Sequence, residues 1–421
     1  MRPAGWIASF SSWLNPRRLR AQAMLLALCV WGVCAFDYST PGLFDRGGNI
    51  KFQDFFQFPV SAGLIAQGRA DELYNPQILT NALRAVAGPD TKVRLQYFYG
   101  PQVALPFIPL RALSFLAQAA IWVALSALLY FGCVYLIWKT CTALKSCAAL
   151  VALCAIAYPP LFHFFVRGQI SVLPLVCFTA AYVAFRAERD WLAGIALGFL
   201  FIKPQFLVAV PVVLLLGRSW RAFAGLVISA GAQLGLTFAY FGQSVMLAYF
   251  HMLLHSASQP GTTELSLSPI QMHSLRSFWA LLIPSPAVVW MLYLASSILV
   301  IVLAIATWRS SPFLPLRFSS LLIAAVLVNP HLYIYDLLAL GPALLLMADW
   351  AASHVHHPWI AELRVLLYVS FLLPLFGPIS RWTHVQLSVV AFTALLCLLW
   401  RISSFATSSA RELATSESAV V

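Results

Sequence analysis

Residues 117–138 read AQAAIWVALSALLYFGCVYLIW, an uncharged run closed by Lys139. A helix that crosses the ~30 Å hydrocarbon core of a bilayer needs about 20 apolar residues, so this stretch spells one crossing. Working outward, similar runs lie at 21–36, 101–115, 147–166, 169–186, 191–217, 222–241, 287–308, 317–331, 333–350, 363–378 and 384–401. The 421 residues are 61% hydrophobic and only 10% charged, with a mean hydropathy of +0.83. A soluble domain has roughly 45–50% apolar and about 25% charged residues. A cytosolic enzyme, a disordered chain and a secreted disulfide scaffold are therefore excluded. The fold class is an all-α polytopic membrane protein.

The runs predict 11 to 13 crossings. Those at 101–115 and 317–331 are short, and 191–217 is too long for one crossing. Lys203-Pro204 breaks it into two helices of about a dozen residues, each reaching partway across at ~1.5 Å per residue. The net charge of +12 fits basic cytoplasmic loops better than a nucleic-acid partner. Lys139, Lys145, Arg186, Arg189, Arg218, Arg221, Arg309 and Arg317 are assigned to that side. This leaves 37–99, 163–168, 242–286, 331 and 378–384 outside, provided that 101–115 is re-entrant or does not fully cross. Arg2, Arg17, Arg18 and Arg20 precede the first run, and no small-x-small cleavage site follows it. It is read as a retained helix that starts in the cytoplasm. The expected organisation is a basic N-terminus (1–20), a transmembrane domain (21–402) and a flexible or weakly helical tail (403–421). The eight cysteines lie in or beside apolar runs, none spaced as CxxC, and are read as packing residues.

The first outer loop, 37–99, concentrates the polarity. It holds Asp37, Asp45, Asp54, Asp71, Glu72 and Asp90 beside Arg46, Lys51, Arg69, Arg84, Lys92 and Arg94. Within it, 54–67 has apolar residues three and four apart, which predicts a short interfacial helix. A second, 75–88, follows. Asp54 begins the first helix and is either its cap or a functional carboxylate just outside the bilayer.

Lys51-Phe-Gln-Asp54-Phe-Phe-Gln-Phe-Pro, with Gly68 and Leu73-Tyr74 after it, resembles the first outer loop of glycosyltransferase family 87. The aromatic-proline segment Tyr97-Phe-Tyr99-Gly-Pro101 to Pro109-Leu is similar to the family's lead into its second helix. Gly168-Gln169 and the stretch Leu192 to Arg221, which contains Lys203-Pro204-Gln205, resemble the family's most recognisable central stretch. Asn329-Pro330-His331-Leu-Tyr333-Ile-Tyr335-Asp336 stands where the family carries a Ser-Pro segment followed by a histidine. The resemblance runs in order over about residues 20–350. It implies a GT-C-type bundle and an inverting transfer of a hexose, mannose in the family, from a polyprenyl-phosphate-linked donor to a glycan or lipid acceptor. The resemblance also implies that the transfer takes place at the outer face of a bacterial inner membrane.

A phosphate leaving group needs no protonation, unlike the leaving group in the two-carboxylate scheme of glycosidases. One carboxylate must accept the acceptor's proton within ~2.6–3.2 Å. Asp54 and Asp37 both meet the requirements of type and location, and the resemblance selects Asp54 as the catalytic base. The donor phosphate needs a cation. Lys203 is the foremost candidate, because an intramembrane lysine is costly and sits at a helix break; the alternative is a snorkelling side chain. Arg167 is a second cation or an interfacial anchor. Gln169, Gln205, Tyr99, His331 and Asp336 complete the expected substrate-binding set. His251 and His255 have ligand spacing but lack the acid of an HExxH site, and neither metal nor cofactor is expected. Partners are the lipid-linked donor, the acceptor and membrane lipids, with no nucleic acid. The alternative function is a transporter or flippase of lipid-linked saccharides, although polarity loaded into one outer loop and the lack of an internal repeat disfavour it. A catalytically inactive scaffold of the same fold is a third reading.

Overall fold

The computed structural model describes residues 5–89, 95–258 and 271–418. Arg2, Asp90, Lys92, Arg94 and the side chain of His255, singled out above, lie outside the described residues. The described chain is almost wholly helical, with two isolated β-bridges, Phe44 to Ile50 and Met272 to Tyr333.

In order, the helices are α1 (Gly5–Trp13), α2 (Pro16–Tyr38), α3 (Gln57–Ala66), α4 (Pro76–Ala87), α5 (Phe115–Thr140), α6 (Ala148–Ile156), α7 (Pro159–Arg167), α8 (Val172–Arg186) and α9 (Asp190–Gly198). There follow α10 (Val210–Leu216), α11 (Trp220–Ser258), α12 (Leu275–Leu282), α13 (Pro286–Ser310), α14 (Leu314–Leu327), α15 (Gly341–Ser353), α16 (Ile360–Leu372), α17 (Ser380–Thr383) and α18 (Leu387–Ser418). Local chemistry sets many starts. Asn15 caps α2 by accepting from the Arg18 amide at 3.0 Å, and Pro16 occupies the first turn, where its missing N–H costs nothing. Asn75-Pro76 repeats the device for α4.

Seven helical stretches among the described residues are long and apolar enough to cross a membrane, or eight if α6 and α7, bent by 49°, form one span. The protein is a multi-pass membrane protein. The shorter apolar pieces account for the difference from the 11 to 13 crossings expected. Residues Pro101–Leu110 form a ten-residue 3-10 helix, too short to cross. The 147–166 run, expected as one crossing, bends between α6 and α7, where Pro159-Pro160 opens the second helix. The 191–217 run is broken as expected: α9 and the 3-10 turn Phe199–Ile202 end at Lys203, and the 3-10 turn Pro204–Leu207 and α10 follow. Helix α11 continues past Gly242, whose φ of 77° kinks it, into what was expected to be loop. Helix α18 likewise runs beyond the expected boundary at 402.

Helix α14 is the axis of the bundle. Every residue from Phe318 to Leu327 is buried, as expected of a helix apolar on all sides. Helices α9 and α11 approach closely through glycines. A Cβ on Gly194 would lie 2.0 Å from the Ala222 carbonyl oxygen, one on Gly198 2.6 Å from that of Leu226, and one on Gly225 2.5 Å from that of Trp191. Small residues at such spacing are what lets helix backbones touch in a membrane.

The 37–99 segment, expected as the first outer loop, is not an open loop. Phe55, Phe58, Tyr97, Tyr99, Phe107 and Trp122 form a second, aromatic core joining the loop to α5 and α7. Ile202 packs on this core, whereas Phe206 belongs to the larger helical core. Lys203, between them, lies at the seam.

Candidate active site

Gly168 ends α7 with φ +68° and donates its amide to the Phe164 and Phe165 carbonyls. Glycine is the usual residue for this left-handed cap, and here space demands it as well. A Cβ would stand 2.7 Å from Phe55 Cβ and 3.2 Å from Phe52 Cβ. The 3-10 turn Gln53–Phe56 is thereby laid directly on the end of α7, with Asp54 opposite Arg167 and Gln169.

Gln169 Nε2 donates to Asp54 Oδ2 at 2.9 Å, and Tyr99 OH donates to Gln169 Oε1 at 2.9 Å. The Gln169 carbonyl accepts from Trp122 Nε1 at 3.0 Å. With its amide oxygen turned to the Tyr99 hydroxyl, Gln169 has its NH2 group left for the carboxylate. Arg167 Nη1 lies 3.6 Å from Asp54 Oδ1, and its Nη2 donates to Gln271 Oε1 at 3.3 Å. The Arg167 and Asp54 side chains remain 34% and 18% exposed, so this pair is open to a ligand. Neither Asp54 oxygen caps its own helix; both face partners 113 or more residues away in sequence. Asp37, the other carboxylate considered as a base, accepts at 3.1 Å from the amide of Arg46, in the segment after α2, and does not join this group.

Deeper in, Lys203 donates to the Asp336 carboxylate and, at 3.2 Å, to Ser171 Oγ. Ser171 donates to Asp336 Oδ1 at 2.6 Å, and the Tyr333 amide to Oδ2 at 3.3 Å. The Lys203 and Asp336 side chains are 3% and 1% exposed, a sealed pair of balanced charges. Lys203 Nζ also lies 5.8 Å from the Tyr99 ring centre and 5.4 Å from that of Tyr335, within cation–π range. Tyr99 therefore joins the two groups: its ring faces Lys203 and its hydroxyl holds Gln169.

His331 sits 5.5 Å from the Phe98 ring and 5.1 Å from that of Tyr333, which stacks on Tyr335. Burial pushes its imidazole down to about 4, so it is neutral near pH 7. Gln205, on the turn after Lys203, is half-buried and is not joined to this network. His251 is exposed on α11. Sequence reasoning named Lys203 and Asp336 separately and missed Ser171 and Gln271. The pairing had a signal, since opposite charges inside a membrane are expected to find each other.

The model of glycosyltransferase family 87 matches residues 97–330, more than half of the chain. The protein belongs to glycosyltransferase family 87. The stretch matched in this family 87 glycosyltransferase includes Tyr99, Arg167, Gln169, Lys203 and Gln205, whereas Asp54, His331 and Asp336 lie outside it. No curated protein and no solved structure matches the chain.

Proposed function

We propose that this family 87 glycosyltransferase moves a hexose, by resemblance mannose, from a polyprenyl-phosphate-linked donor to a hydroxyl of a glycan or lipid acceptor. It acts with inversion at the outer face of a bacterial inner membrane. The observation that supports this best is the half-open Asp54–Arg167 pair, oriented by Gln169 and Tyr99. The acceptor oxygen attacks the anomeric carbon from the side opposite the phosphate and gives its proton to Asp54. The bond from that carbon to the phosphate oxygen breaks, and its electron pair leaves with the phosphate. Arg167 offsets the charge there, as preorganised cations do for departing anions. Lys203 is buried against Asp336, so in this reading it positions Tyr99 rather than meeting the phosphate.

The test is transfer of labelled mannose from polyprenyl-phosphate-mannose in membranes carrying wild type or Asp54→Asn. Loss of a general base costs about 10²- to 10⁴-fold, so the variant should fall by that factor at equal protein level. Equal transfer by both would remove Asp54 from the base role, and no transfer by wild type would overturn the choice of donor.

A further inference from the structure

At the end of the bundle away from Asp54, a cavity of about 870 Å³ opens between the α1–α2 pair and the body of the protein. Helix α2 fixes the polarity of this arrangement. Asn15 and Pro16 line the cavity mouth, whereas Tyr38, at the other end of the helix, donates to the Val166 carbonyl beside Arg167 at 2.8 Å. The walls are apolar from Leu19 past Cys29 to Tyr158 and Leu175. Polar groups gather at the mouth: Ser11, Asn15, Gln22, Arg364 and Tyr368. Tyr368 OH donates to Gln22 Oε1 at 3.0 Å, tying α16 to α2 across the opening. Arg364 is the one charged residue in the lining, which contains no acid. Arg17, Arg18 and Arg20 are exposed on the first turns of α2, next in sequence to Asn15 and Pro16, and are not part of the lining. From Asn15 to Cys29 the cavity follows α2 for ~21 Å at ~1.5 Å per residue, more than one leaflet of a ~30 Å hydrocarbon core.

We infer that this cavity binds an anionic phospholipid, with an acyl chain in the apolar shaft and the phosphate at Arg364. An apolar shaft with a few polar groups at one end is the usual build of a ligand site, and arginines clustered at a membrane surface favour anionic headgroups. The sugar donor's phosphate cannot serve here, because Arg167 lies at the far end of α2. The inference is independent of the donor and acceptor proposed above.

The test uses the full chain, delipidated in detergent. Native mass spectrometry and thermal unfolding follow the addition of phosphatidylglycerol, phosphatidylethanolamine or polyprenyl phosphate. Phosphatidylglycerol should bind one per chain, at least about fivefold tighter than phosphatidylethanolamine, and raise Tm. Arg364→Gln should erase that preference, and Ala348→Phe, on the cavity wall, should abolish binding while circular dichroism stays unchanged. Equal binding of the two phospholipids by wild type would overturn the inference. So would retention by Ala348→Phe, or displacement of phosphatidylglycerol by polyprenyl phosphate, which would assign the shaft to a prenyl chain. Should Ala348→Phe fail to fold, the Arg364→Gln comparison decides alone.

Discussion

Removing the Asp336 carboxylate would leave the Lys203 ammonium with one hydroxyl, Ser171 Oγ, and two aromatic rings. A buried charge that loses its partner costs about 3–5 kcal/mol, whereas replacing both partners by apolar residues is often near neutral. Asp336→Asn should therefore lower the stability of the purified protein by that amount in a detergent unfolding titration. The double change Lys203→Met with Asp336→Leu should recover most of it. Tyr99→Phe separates positioning from stability. It deletes the hydrogen bond to Gln169, worth about 1 kcal/mol, and should reduce sugar transfer roughly fivefold while shifting Tm little. Asp54 was legible as a candidate base, because it is an acid beside an apolar crossing. Its partners were not, since Arg167 and Gln169 come to it only when α7 meets the outer-loop turn.

Helix ends and breaks do the positioning. The Lys203-Pro204 break was readable because proline lacks an amide donor and clashes with the preceding turn; the ammonium then finds a carboxylate where the helices part. The bend between α6 and α7 was hidden in one apolar run, although Pro159-Pro160 marked it. Gly168 tests the join between α7 and the outer loop. Gly168→Ala places a methyl against Phe55 in a left-handed conformation, which alone costs about 1–2 kcal/mol. It should lose that stability and also most transfer, because the turn carrying Asp54 must move. Gly194→Leu, by contrast, should unpack α9 from α11, costing about 1–3 kcal/mol as overpacking does, and shorten the protein's half-life in detergent.

Across the whole molecule, two histidines, the buried His273 and the half-buried His331, make stability depend on pH. Burial depresses His331 to about 4 and His273, held by Ser388 Oγ at 2.6 Å, to about 3. Both titrate near 6.5 when unfolded. Their neutral forms thus contribute fully above about pH 6.5, and that contribution is lost as pH falls toward 4, because the unfolded chain then binds more protons. Tm in detergent should drop between pH 6.5 and 4.5, and His331→Gln with His273→Gln should flatten the decline. A pH–rate profile should show no inflection from His331 between pH 6 and 8. At this scale the number of crossings was the least legible property. Helices such as α14 are too short by length yet are buried by their neighbours on every side.

Composition and apolar run length settled the class by themselves, because transfer of side chains out of water is a local property that each residue carries wherever it lies. The ordered motifs identified the family, and proline chemistry identified the broken helix. The tertiary structure alone decided which charges meet. Lys203 and Asp336 are 133 residues apart in sequence, and Asp54 and Arg167 are 113 apart. A contact across such distances depends on how α7, α8 and the Lys203 break pack against the outer loop, and no local pattern encodes that packing.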